Sequence, residues 1–169
     1  YIADSGFCND RSLSNRVNNG DGVRKKKKNT YYTGYTRFFE SQTPSLICPN
    51  ESNDLFTAST SDKGNKALEY PIGLITVDEL MLSGYANDYL NTSTYTYSSL
   101  AYWTMSPSAF YINSLSSIVF YFNPIGYVTH SGILADWVGV RGVINLKGNV
   151  EISGGIGTSN DPFVVSGTE

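Results

Sequence analysis

The 169-residue sequence is short of the side chains that most catalytic chemistry needs. It has one histidine, His130, and two cysteines, Cys8 and Cys48. These cannot supply the usual nitrogen and sulfur sets of a zinc site. A Ser-His-Asp triad would have to use His130, which follows a predicted hairpin, and there is no nucleophile-elbow motif. A polar side chain at a strand end is the simpler reading. Charged residues are scarce and nearly balanced, at a net −3, too weak a field to draw nucleic acid or a membrane surface. No apolar run is long enough to cross a bilayer and no signal peptide is visible. A chain that starts on Tyr1 reads as a mature form or an excised piece. No catalytic residue, cofactor or metal is therefore assigned, and the protein is not expected to be an enzyme.

Aromatic and turn-forming residues are abundant. Thirteen Tyr, eight Phe and sixteen Gly among many Ser, Thr and Asn suit short strands joined by loops, in one domain spanning 1–169. Residues 9–30 are polar and end in Arg24-Lys25-Lys26-Lys27-Lys28. Without interleaved aromatics or an amphipathic helix, this reads as an exposed loop rather than a polyanion site. Cys8 and Cys48 bracket that stretch. Because it has few apolar residues to hold it, a disulfide is expected, with two free thiols as the alternative. Closing a loop of about 40 residues contributes roughly 3–4 kcal/mol and implies an oxidising, extracytoplasmic setting.

Local signals place the main elements. Tyr31–Phe39 is a strand or a short helix packed on the core. Thr76 with Glu79 three residues on forms a capping box, Val77, Leu80 and Met81 share one face, and Gly84 stops the helix, so residues 76–83 are helical. Capping accounts for Glu79 better than a catalytic role does. Strands are expected from Ala101 onward, over Ile118–Phe122 and Tyr127–His130 around an Asn123-Pro124-Ile125-Gly126 turn, over Val140–Leu146, and over Val150–Ile152 and Phe163–Val165. The Gly154-Gly155-Ile156-Gly157-Thr158 run lacks the lysine of a phosphate loop and reads as a turn.

Residues 85–101 are almost wholly Tyr, Asn, Ser and Thr, a composition suited to adaptable recognition. The candidate ligand contacts are Tyr85, Tyr89, Tyr95, Tyr97, Tyr111 and Trp137. Trp103 is expected in the core. Arg141, in an apolar strand, is expected to be a partly buried anchor with carbonyl or carboxylate partners. Structural calcium would draw on Asn50-Glu51-Ser52-Asn53-Asp54 or Ser159-Asn160-Asp161, neither of which has EF-hand spacing. Asn50 and Asn91 begin Asn-x-Ser sequons.

The order of Phe7-Cys8-Asn9-Asp10-Arg11-Ser12, Pro44-Ser45-Leu46-Ile47-Cys48, Tyr70–Gly84, Tyr102–Pro107 and Gly139–Val165 resembles an uncharacterised domain of surface and secreted proteins of Gram-positive gut bacteria. That domain is distantly similar to the C-type-lectin-like fold of formylglycine-generating enzymes, and some members carry a pilin-like membrane helix. Gly142 stands where the family pattern has proline. No cysteine lies in the C-terminal half to match the catalytic pair of formylglycine-generating enzymes. The resemblance implies an α+β, mainly antiparallel C-type-lectin-like fold and an extracellular or cell-surface location, and it carries no activity across. The expected function is a non-catalytic binding or adhesion module whose partner is a host or bacterial surface glycan or protein. A pilin-like or phage-fibre subunit that binds copies of itself is the alternative, with no nucleic acid and no membrane contact within this stretch.

Overall fold

The computed structural model describes residues 2–3, 6–21, 28–58, 64–157 and 160–167. Its short strands and helices follow in the order β1 (Phe7–Cys8), β2 (Thr30–Tyr31), α1 (Thr33–Thr36), a π-helical turn (Arg37–Ser41), α2 (Glu51–Asp54), β3 (Leu55–Phe56), β4 (Gly73–Leu74) and α3 (Val77–Leu82). The longer strands β5 (Tyr102–Tyr111), β6 (Ser116–Asn123) and β7 (Tyr127–Gly132) come next, then β8 (Gly142–Val143), β9 (Val150–Gly154) and β10 (Val164–Gly167). The expected mixed, mainly antiparallel β architecture is what forms.

The central sheet is antiparallel in the order β2-β5-β6-β7. Alternate residues of a strand face opposite sides. On one side Phe120, Phe122, Tyr102 and Val128 meet Phe38 of the π-turn and Val77, Leu80, Met81 and Tyr85 of the α3 region, forming the main core. On the other side Tyr121 packs with Ala101 and Val138, flanked by Trp103 and Ala135. Trp103 is half-buried there, with its ring edge-on to Tyr121. The β6–β7 hairpin closes as the sequence predicts. Gly126 N–H donates to the Asn123 carbonyl at 2.9 Å, and the Asn123 side chain accepts from Ile125 N–H.

Pro107 interrupts β5. It has no N–H to give the ladder, and the β5–β6 register shifts on both sides of it. Near this irregularity β5 bonds to other segments: Met105 N–H donates to the Ile75 carbonyl, and the Ser108 carbonyl accepts from Tyr32 N–H. Small polar residues of β5 face inward and serve neighbours. Ser106 Oγ accepts from Val77 N–H at 2.9 Å, satisfying an otherwise orphaned donor at the start of α3. Thr104 Oγ1 donates to the Phe120 carbonyl.

Helix α3 lies where its caps place it. Thr76 Oγ1 accepts from Glu79 N–H, and Glu79 Oε2 accepts from Thr76 N–H at 2.7 Å. At the other end Gly84 takes φ +108°, Gly84 N–H reaches the Met81 carbonyl and Tyr85 N–H the Leu80 carbonyl, a Schellman stop. Its first residue after the stop, Tyr85, is thereby turned into the core.

The N-terminal third is tied down covalently and ionically. Cys8 and Cys48 are joined by a disulfide, with Cα atoms 5.7 Å apart. Arg37 forks onto Asp78 through Nε (2.6 Å) and Nη2 (2.8 Å), and Nη1 reaches Asp10 at 3.0 Å. Burial pushes Asp10 up, but hydrogen bonds from Ser12, Thr33 and Arg37 outweigh it and hold the carboxyl below the ordinary aspartate value. The polar segment is less exposed than the sequence predicts. Asp10, Ser14, Gly20 and Thr30 are buried, because Asn19 clamps the Ser14 and Tyr31 carbonyls and the Tyr31 N–H. Residues 22–27, most of the basic run, lie outside the described residues.

The predicted strand over 140–146 shrinks to Gly142–Val143, paired with Gly73–Leu74. Its available partner is only two residues long, so Val140 and Ile144 are exposed. Among the described residues β9 and β10 pair only with each other. Among the described residues no helix is long and apolar enough to cross a membrane.

Candidate functional site

The site grows from the first residues of β5. Trp103 N–H donates to the Gly139 carbonyl, and Gly139 N–H donates to the Ala101 carbonyl, both at 3.0 Å. This pairs Gly139 with the start of β5 and brings Arg141 over Tyr102. From the other side, the Tyr102 hydroxyl donates to the Thr96 carbonyl at 2.7 Å and fixes the Tyr/Ser/Thr-rich loop. Arg141 Nη1 donates to the same carbonyl at 3.0 Å, and its guanidinium lies 5.3 Å from the Tyr102 ring centre. Burial pushes the Tyr102 hydroxyl up to about 12, opposed in part by Arg141.

Between these segments opens a cleft of about 290 Å³ lined by Ile75, Glu79, Tyr95, Thr96, Tyr102, Arg141, Gly142 and Val143. Its apolar surface comes from Ile75, Val143 and the Tyr102 ring. Tyr95, 82 % exposed, stands at its mouth. Glu79 uses Oε2 for both Thr76 donors, leaving Oε1 without a bond to the described residues. Small-molecule sites are typically concave, largely apolar and carry a few polar groups, and this cleft has that make-up at the small end of the range.

The six candidate contacts do not form one surface. Tyr95 lines the cleft, and Tyr97, two residues on, is braced edge-on to Phe122 with its hydroxyl donating to the Pro124 carbonyl. Tyr85 is 2 % exposed, its ring against Phe122 and its oxygen accepting from Thr94, so it is a core residue and not a contact. Tyr111 ends β5 about 30 Å from Tyr102 at about 3.3 Å per residue, and it packs beside Tyr31. Trp137 is exposed against Tyr121, on the opposite side of the sheet from Phe120 and Phe122. Tyr89 is exposed in the 86–89 turn. Arg141 is exposed rather than partly buried, and its anchor is a carbonyl.

Polar side chains also gather outside this cleft. A cavity of about 220 Å³ beside the disulfide is lined by Asp10 and Asp78, both already bonded to Arg37, by Arg37 itself, and by Leu46, Ile47 and Glu79. Glu79 borders both cavities. His130 sits within β7 rather than at a strand end, half-buried among Tyr35, Phe39 and Phe120, with Nδ1 2.6 Å from Ser108 Oγ. Burial pushes the imidazole below its ordinary value. Ser108 is fully buried, so substrate has no access to its hydroxyl. Asp54 of the first candidate calcium segment is buried and paired with Arg11 at 2.6 Å. Ser159 of the second lies outside the described residues, among which no group of three or more His, Cys, Asp or Glu is placed to hold a metal.

Comparison with protein-family models, curated proteins and solved structures finds no match. What the structure defines is a class: a mixed, mainly antiparallel β protein with short helices and a disulfide-tied N-terminal third.

Proposed function

We propose that the chain is a non-catalytic extracellular binding or adhesion module on a C-type-lectin-like scaffold, with the Tyr95–Arg141 cleft as its ligand site. The observation that carries this reading is the cleft itself. An exposed phenol, a guanidinium, a carboxylate oxygen and an apolar floor converge beside the Tyr/Asn/Ser-rich segment. Tyr95 offers a broad apolar ring with a polar tip, suited to stacking on a sugar or a peptide. The disulfide supports an oxidising location outside the cytoplasm, and the scaffold assignment rests on the ordered sequence resemblance together with the short-strand architecture. A glycan and protein array probed with wild-type chain and Tyr95→Ala tests the reading. Binding is expected from the first and a loss of about tenfold from the second, the scale of one aromatic contact. Absence of any binding, or binding indifferent to Tyr95, refutes it.

The C-terminal hairpin favours a second reading, a self-assembling surface subunit. Ile152 and Val164 on its strands and Ile156 and Phe163 in the connection are all more than half exposed, and a two-stranded sheet is marginal by itself. Native mass spectrometry over a concentration series separates the readings, since only the subunit forms larger species as concentration rises.

A further inference from the structure

The arginines of this chain are not alike in how their charge is met. Arg11 pairs with Asp54, Arg16 with Glu40, and Arg37 with Asp78 and Asp10. Arg141 alone among the described arginines has no carboxylate within ion-pair distance. A guanidinium carries five N–H donors, and the bond to Thr96 uses one of them. The carbonyl and the Tyr102 ring hold its plane in place, so little freedom would be lost on binding an acceptor. Arg37 shows within the same chain what such a group does when a carboxylate is present, namely a two-bond fork through Nε and Nη2.

Resting on the reading of the cleft as a ligand site, we infer that its ligand is a carboxylate-bearing saccharide. The carboxylate meets Arg141, ring hydroxyls donate to Glu79, and the apolar face of the sugar ring lies on Tyr95. Three features select this class. The guanidinium, with no carboxylate within ion-pair distance, calls for an anion. Glu79 in the same cleft adds a negative charge, which penalises a doubly charged phosphate more than a singly charged carboxylate and rewards hydroxyl donors. A volume of about 290 Å³ with apolar walls suits a compact ring better than a long flexible chain.

The test is titration of the oxidised chain with tri-galacturonate, its fully methyl-esterified form, and poly-glutamate, followed by calorimetry and ligand-observed NMR. Tri-galacturonate is expected to bind, esterification to weaken it tenfold or more, and added salt to weaken it further, because the lost contact is a charge-assisted pair. Arg141→Met should abolish the preference for acid over ester, and Arg141→Lys should retain part of it. Equal binding of acid and ester would overturn the acidic class while leaving the ligand site standing. Arg141-dependent binding of poly-glutamate as tight as that of the saccharide would overturn the sugar in favour of an acidic peptide. Failure of both saccharides and the peptide, together with an empty array, would overturn the site itself. The acid-against-ester comparison is made on the wild-type chain, so it holds even if an Arg141 variant fails to fold.

Discussion

Replacing Arg37 by Met probes what holds the N-terminal third to the sheet. The guanidinium bridges two carboxylates, with its side chain 16 % exposed against 4 % for Asp78 and 11 % for Asp10. Removing one member of a buried ion pair costs about 3–5 kcal/mol, mostly because the other charge is left uncompensated. Asp78 would keep its bond from Ser45 N–H, and Asp10 would keep those from Ser12 and Thr33. The expected cost at pH 7 is therefore at the low end, about 3 kcal/mol, a urea-midpoint drop of roughly 1.5 M at a slope of about 2 kcal/mol/M. The pH dependence supplies a second check. Asp10 is held below its ordinary value of 3.8, so it adds stability above that pH and loses it as pH falls through its lower folded value. Without Arg37 part of that depression is gone, and the gap between wild type and variant should narrow as pH falls below about 4. Urea unfolding followed by tryptophan fluorescence between pH 7 and pH 3 measures both. A cost below about 1 kcal/mol, or a gap constant across that range, would show that the network contributes no more than a surface pair.

Thr76→Ala should cost about 1 kcal/mol by removing the acceptor for Glu79 N–H, read as a shift in thermal midpoint, and no shift would place the start of α3 elsewhere. Reducing Cys8–Cys48 should cost roughly 3–4 kcal/mol and raise hydrogen exchange over residues 1–48 more than over β5–β7, and uniform loosening would contradict a local tether. His130 is held below its ordinary 6.5 by burial, so the folded state resists its protonation and stability should fall as pH drops from about 6.5 toward the lowered folded value. His130→Asn should flatten that slope between pH 7 and pH 5 in the same urea assay.

What was legible in the sequence is what neighbours along the chain decide. Thr76, Glu79 and Gly84 carry α3 in three to eight residues of local chemistry, and Asn123-Pro124-Ile125-Gly126 sets its own turn. The pattern of Tyr31–Phe39 fits strand and helix alike, and both occur: a two-residue strand, a short helix, then a π-turn that drives Phe38 into the core. Ser106 gave no local sign that its hydroxyl would complete the N-terminus of a helix 29 positions away. Val140–Leu146 had the composition of a strand without a partner long enough to make it one, since β-structure is a property of pairs.

The candidate site shows the same division more sharply. Composition singles out the tyrosines but has no direction, and the Schellman stop that ends α3 puts Tyr85 in the core while Tyr95 remains in water. In the sequence Arg141 is a cation in apolar surroundings, a pattern that predicts an anchor. What the sequence could not carry is that Arg141 would share one carbonyl with Tyr102, 45 positions from Thr96 in one case and 6 in the other. That carbonyl fixes the guanidinium with a neutral acceptor, whereas a carboxylate there would have satisfied the charge internally, as Asp78 does for Arg37. An arginine held by a carbonyl in an open cleft keeps its charge unpaired, and on that difference from Arg37 the proposal of a recognition role for Arg141 rests.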